Sequence, residues 1–394
     1  MDRDLINKWL KEKVINASQA KRMLSDVESS RKERNSNKFI VSISTIGAIL
    51  LGIGAILFIA SNWQELSQIA KTLILVGSTG LAYYLGYLLK YQKQNLPKVG
   101  ASLLFLGALL FGATVILISQ IYNLNANNHM LVLIWLIGIL PLVYALGSAP
   151  IAGLAAVLFY LWVGLFFSPE RDWWFFSFLG RFSIILFIAA SIMLFAIGGL
   201  HYLLPQLSKV ARIYRIASLK VLMISLFLMT FDWFSKVNDY DYEWFGTTKD
   251  QIFGGLILFS ILAILVTIIN WFFNMSNHLS NYEGPLSIGI MALTLIFFFY
   301  PSETSIYVLI FNLLFAGITI LFLYIGYHRE DMALVNLGMF WLSVFLIAKY
   351  FDWFWELLEK STFFLIGGII LVLGSIVLEK KRRQIKATFT AKDE

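Results

Sequence analysis

From Phe39 onward the chain is a succession of apolar runs, most of them about the length that crosses a bilayer, roughly 20 residues, with little polar sequence between them. Spans are predicted at 39–60, 69–89, 100–121, 130–147, 150–167, 182–203, 217–231, 252–273, 286–300, 304–326, 332–349 and 361–378. That pattern makes about twelve transmembrane helices. The runs lack the apolar–polar alternation of barrel strands, so the fold class is an all-α polytopic integral membrane protein. Only the turn Gly147-Ser148-Ala149-Pro150 divides the fourth run from the fifth, and Pro301 ends the short ninth.

Residues 1–38 break this pattern: they are polar, carry both charge signs and have no early apolar core of the signal-peptide kind. Leu5, Ile6, Trp9, Leu10 and Val14 recur at helical spacing, Asn16 and Ser18 offer an N-cap, and Ala20, Met23, Leu24 and Val27 continue the period. A short cytosolic helical hairpin is expected. It serves either as a solvated arm or as a docking surface for a protein partner or the inner face of the membrane. The expected organisation is therefore a cytosolic element at 1–38, an N-terminal transmembrane bundle at 39–167, a C-terminal bundle at 168–378 and a basic cytosolic tail at 379–394.

Charge orients this array. The chain holds 31 Lys and Arg against 24 Asp and Glu, and the cations gather in the N-terminal arm, at Lys90, Lys93 and Lys98, at Lys209, Arg212, Arg215 and Lys220, at Arg329 and in the tail. Twelve spans with both termini cytoplasmic put most of them inside. The net charge of +7 thus reads as an orientation signal and not as a nucleic-acid surface. Trp63, Trp173, Trp233, Trp244 and Trp353 fall at predicted outer ends, where indole rings favour the headgroup layer.

Composition narrows the chemistry. With 59% hydrophobic and 14% charged residues the chain suits lipid, and with no cysteine it has no disulfide, thiolate metal site or Cys nucleophile. His129, His201, His278 and His328 are whole spans apart, so no helix offers an i, i+4 zinc pair. The acids of the 231–251 loop resemble a calcium loop only loosely, because Trp244 stands where the turn needs glycine. No metal, cofactor or catalytic constellation is expected, and the chain does not read as an enzyme. No Asp, Glu, Lys or Arg lies near the middle of a predicted span, which argues against a proton relay. The polar groups at membrane depth are neutral: Thr114, Ser119, Gln120, Asn270, Asn312 and Asn336. Each is an interhelical hydrogen-bonding group or a cavity lining. The candidate polar set is Gln120, Tyr122, Asn123, Asn312 and Asn336. The candidate outer-face set is Asn62, Trp63, Asp232, Trp233, Asp352 and Trp353, and it contains an internal echo, with Phe231-Asp232-Trp233-Phe234 repeated as Phe351-Asp352-Trp353-Phe354.

Small residues suggest how the helices assemble. Ala48 and Gly52, then Ala108 and Gly112, have the spacing that lets backbones approach, and Gly77, Gly80, Gly86, Gly367, Gly368 and Gly374 extend the theme. Spans one to three are expected to form a tight bundle. These patterns favour compact packing without choosing between a monomer and a dimer.

Several strings together resemble a known family. Trp9-Leu10, Val14-Ile15 and Gln19-Ala20, then Ala60-Ser61-Asn62-Trp63, then 107–112 (GALLFG) running into 118–124 (ISQIYNL), are similar to the bacterial predicted membrane proteins grouped as domain of unknown function 2157. The endings 350–353 (YFDW), 363–368 (FFLIGG) and 379–383 (EKKRR) add a looser match. The resemblance implies a bacterial inner-membrane location and brings no activity with it. Two functions fit: a transporter or flippase-like carrier of an amphipathic or lipid-linked substrate, or a non-transporting scaffold or regulatory subunit acting through the N-terminal helices. Membrane lipids are the expected surroundings in both.

Overall fold

The computed structural model describes residues 66–124, 127–166, 181–235, 249–273, 280–300, 305–328, 330–355 and 360–392, with isolated positions between 16 and 54. Among these residues all regular structure is helical: α1 (Gln68–Tyr87), α2 (Pro97–Ile121), α3 (Asn128–Leu146), α4 (Ala149–Phe166), α5 (Arg181–His201), α6 (Ser208–Leu228), α7 (Lys249–Phe273), α8 (Ser280–Phe299), α9 (Ile306–His328), α10 (Met332–Phe354) and α11 (Lys360–Lys392). A π-helical turn, Leu88–Gln92, prolongs α1, and one short turn, Asp232–Ser235, follows α6.

Eight of these helices are long and apolar enough to cross a membrane: α1 to α5, α7, α9 and α10. Among the described residues, then, eight of the twelve expected spans have that length and character. Most of the first predicted span lies outside the described residues, as do Asn62, Trp63 and most of the N-terminal hairpin. The ninth is the shorter apolar stretch Glu283–Phe299 within α8. The twelfth forms the first part of α11, which continues without a break into the basic tail. The seventh is only the later part of α6, which begins at Ser208 and carries Lys209, Arg212 and Arg215 in its first turns and Lys220 just past its middle. Hydropathy cut that helix short because the cations lower the local average. Its buried face nevertheless continues at helical spacing through Val210, Ala211, Tyr214, Ser218 and Leu222.

The turn between α3 and α4 follows from one residue. Gly147 adopts a left-handed φ of 55°, which ends α3 at little steric cost, and Ser148 then accepts from the Ala152 N–H to open α4. A comparable reversal joins α9 to α10. Glu330 takes the left-handed position, and the Asp331 N–H donates to the Gly326 carbonyl, so the last carbonyls of α9 are satisfied. Asp331 then caps α10 by accepting from the Ala333 and Leu334 N–H groups. Asp331→Ala is expected to lower stability by about 1 kcal/mol, measurable as a lower unfolding midpoint in detergent micelles.

The chain divides into two compact units, Met1–Phe159 and Tyr160–Glu394, with the boundary inside α4. In the first unit α1 and α2 pair closely. Thr79 and Thr114 hydroxyls meet at 3.0 Å, and Thr114 also donates to the Leu75 carbonyl at 3.3 Å, so two neutral polar groups satisfy each other inside the pair. Gly107 lies under the Tyr83 ring on the same face. The other small pair serves the next helix: Ala108 is wholly buried, Gly112 receives the indole of Trp135 from α3, and Trp135 Nε1 donates to the Ala108 carbonyl at 2.9 Å. In return Phe111 of α2 sits on Gly138 of α3. The Ala108–Gly112 face thus packs on the helix that follows it in sequence. Gly77 and Gly80 meet nothing.

In the second unit α5 is the centre. It packs against α6, α7 and α8, and Ile184, Ile185, Leu186, Ile188, Ala189, Ala190 and Ser191 are all buried. A helix apolar on all sides belongs in such a position. Beyond α6 the packing continues through α9, α10 and α11.

Candidate functional site

The family-like string at the end of α2 has a local structural role. Asn123 stands in the left-handed region at φ 49°, its N–H donates to the Gln120 carbonyl, and the Leu124 N–H donates to Ser119 at 2.9 Å, a pair of bonds that closes the helix end. Asparagine tolerates this conformation better than most residues because its short polar side chain bonds locally. Gln68 Nε2 of α1 reaches the Ile121 carbonyl at 3.3 Å, and the Tyr122 hydroxyl meets Thr72 at 3.2 Å. The Gln120 side chain is exposed there.

Asn312 and Asn336 lie near opposite ends of the α9–α10 hairpin and do not meet. Asn336 is exposed and its Oδ1 accepts from Arg382 Nε of α11 at 3.1 Å. Arg382 and Arg383 also pair with Glu379, and the Arg383 hydrogen bond holds that carboxyl below its ordinary range. Asn336 therefore belongs to an exposed basic cluster on α10 and α11. Asn270 is buried with its amide against Gly199 of α5.

Asn312 leads to the main polar cluster, which forms where α6 ends beside the start of α9 and the last turns of α10. The backbone leaves α6 through tightened turns at Met229 to Phe231, so the Thr230 carbonyl has no helical partner. Two donors converge on it: Asn312 Nδ2 at 2.9 Å and Lys349 Nζ at 2.7 Å. Lys349 is only 3% exposed, lies 4.1 Å above the centre of the Phe231 ring and pairs with Asp352 Oδ2 at 2.8 Å. The negative ends of two helix dipoles, from α6 and α10, favour a cation here. Both Nδ2 contacts of Asn312, to Thr230 and to Val308 at 2.7 Å, point at carbonyl oxygens, which fixes the amide orientation. Its Oδ1 is buried and has no hydrogen-bond partner among the described residues.

Both members of the aromatic echo meet in this cluster, one supplying the Phe231 ring and the other the Asp352 carboxylate. Their backbones differ: Phe231 and Asp232 stand where α6 gives way to a short turn, whereas Phe351 to Phe354 close α10. Trp233 and Trp353 project outward, 88% and 59% exposed. Lys349 is the last residue of the predicted span 332–349, where hydropathy alone assigns it no role. The available signal was a lone lysine in an apolar, aromatic run with an acid three residues on, since such a cation must be paired or reach water. A second ion pair, Arg215 with Glu283, ties α6 to α8, and the guanidinium also covers the Phe195 ring at 4.2 Å. Among the described residues no group of three or more His, Asp and Glu is placed to hold a metal.

Residues 7–152 match the model of the family described as Predicted membrane protein (DUF2157). That stretch takes in α1 to α3 and their glycine contacts, together with the N-terminal element. No curated protein and no solved structure matches the chain.

Proposed function

We propose that this is a multi-pass, non-enzymatic protein of the bacterial cytoplasmic membrane, with twelve spans and cytoplasmic termini. It acts as a flippase-like carrier of an amphipathic or lipid-linked substrate. The observation that carries this reading is the buried Lys349, because an ionisable group inside a membrane bundle is costly and is kept where it meets a substrate or ion. In the positive-inside orientation the cluster faces outward. The half-exposed Asp352 is its exchangeable partner: an anionic or hydroxylated headgroup arriving from the open side takes over the Lys349 ammonium and offers a donor to Asn312 Oδ1.

The test is transbilayer movement of headgroup-labelled phospholipid in vesicles bearing the full chain. Wild type is expected to accelerate exchange over protein-free vesicles, and Lys349→Met to slow it by tenfold or more, on the order of one lost charged hydrogen bond. Wild-type vesicles no faster than empty ones would overturn the reading. They would favour the second function, a scaffold acting through the N-terminal helices. One detail supports that alternative: Asn16 Oδ1 accepts from the Gln19 N–H at 2.8 Å while Gln19 Oε1 accepts from the Asn16 N–H at 3.0 Å, a reciprocal cap that marks a definite helix start inside the family-matched region.

A further inference from the structure

The outward side of α6 carries a stripe that the cluster at its far end does not explain. Lys209, Arg212, Ile216, Lys220 and Ile224 succeed one another at three- and four-residue steps, and all five are exposed. At 1.5 Å per residue Lys209 and Lys220 are about 16 Å apart along the axis. Gly198 of α5 faces Ala211 and Arg215 of α6, so with the two helices antiparallel Lys220 stands level with about Ser191, at the middle of α5. Since α5 is one of the membrane-length helices, the stripe runs from one boundary of the membrane to about half its depth.

The chain does neutralise a cation on this helix where it turns inward. Arg215 has Glu283, Phe195 and Tyr202 around it. Lys209, Arg212 and Lys220 have no carboxylate partner among the described residues. Lys209 and Arg212 stand at the boundary, within reach of headgroups, but Lys220 stands at membrane depth, where a cation without a carboxylate needs a counter-charge brought to it. Tyr202, Leu203 and Leu204, 43%, 45% and 56% exposed at the start of the stripe, give an apolar anchor suited to the headgroup boundary.

The geometry points to an anionic-phospholipid binding surface along this stripe, in which headgroup phosphates occupy Lys209, Arg212 and Lys220 and acyl chains lie against Ile216 and Ile224. The ligand class is a phospholipid with net negative charge, such as phosphatidylglycerol. Binding here deepens the carrier reading, on which its meaning for transport rests, by assigning the charge of the headgroup and the helix along which it is drawn inward.

The experiment uses the full chain in vesicles of phosphatidylcholine with a minority of phosphatidylglycerol, and reads the protein-contacting fraction of spin-labelled phosphatidylglycerol against spin-labelled phosphatidylcholine. Wild type is expected to prefer the anionic lipid. The triple variant K209Q/R212Q/K220Q is expected to lose most of that preference, on the order of fivefold at each contacted site. The charge-keeping variant K209R/R212K/K220R should retain it, which separates lost charge from a damaged fold. Equal contact of the two lipids in wild type, or an unchanged preference in the glutamine triple, overturns the inference. Because the readout is equilibrium contact, a preference without transbilayer movement defeats only the carrier reading, and movement without a preference defeats only this surface.

Discussion

Asp352→Ala is expected to destabilise the protein by about 3 kcal/mol, more than the loss of its partner, because the two ends of the Lys349–Asp352 pair are unequally buried. The Lys349 side chain is 4% exposed and the Asp352 side chain 36%. Removing the carboxylate strands a buried ammonium with one carbonyl and one ring. Lys349→Met removes the charge and keeps most of the volume, and the freed carboxylate turns to water while Asn312 still occupies the Thr230 carbonyl. About 1 to 2 kcal/mol is expected for that change. The double variant should resemble Lys349→Met alone, since the carboxylate has little to do once the ammonium is gone. Unfolding of the four proteins in detergent micelles checks the order. A larger loss for Lys349→Met than for Asp352→Ala would mean that the lysine acts through packing and not through charge.

The second large effect lies in the family-matched unit. A methyl group at position 112 meets the indole of Trp135, which is itself tied to the Ala108 carbonyl and cannot swing aside freely. Gly112→Ala is therefore expected to cost about 2 to 3 kcal/mol, at the upper end of ordinary overpacking. Trp135→Ala should cost about 3 kcal/mol by opening a cavity. Together the two should cost less than their sum, because the added methyl fills part of the vacated space. Midpoints of unfolding for both single variants and the double variant decide this. Additive losses would show that the residues are not in contact.

The helical, membrane-length character of the chain was legible because hydropathy alone reports it, and the Gly147 turn was legible because a glycine with a proline three residues on has few other uses between two apolar runs. Helix α6 was misread at its start. Hydropathy averages over all sides of a helix, so Lys209 to Lys220 on one side hid the buried Val210, Ala211 and Tyr214 on the other. The aromatic echo was visible as letters, but that both halves adjoin one lysine depends on contacts spanning 119 residues, which no local pattern encodes. Asn336 looked like Asn312 in sequence, since both are lone amides in apolar runs. Their difference arises from neighbours, Arg382 on a surface in one case and an orphaned carbonyl in the other. Asn123 stood out as a polar letter closing a span, and its left-handed backbone supplies a local reason for it, whereas Gln120 contributes only its carbonyl to that helix end.

The wrapped position of α5 has a consequence for how the second unit is made. Of its neighbours only the end of α4 precedes it, through the Tyr160 hydroxyl on Ser191 and the Tyr160 ring beside Phe187. Helices α6, α7 and α8 follow it, so while it is being synthesised most of the surface of α5 meets lipid. With a mean hydropathy of 2.3 over Ile184–His201 it rests there without difficulty. Helix α6 does not share that freedom, because each cation near the middle of an inserting helix costs about 2.5 to 3.5 kcal/mol. It enters as the second arm of a hairpin, leaning on the helix already in place. The unit is thus assembled outward in order of synthesis, and a helix that starts with few protein neighbours finishes as its core.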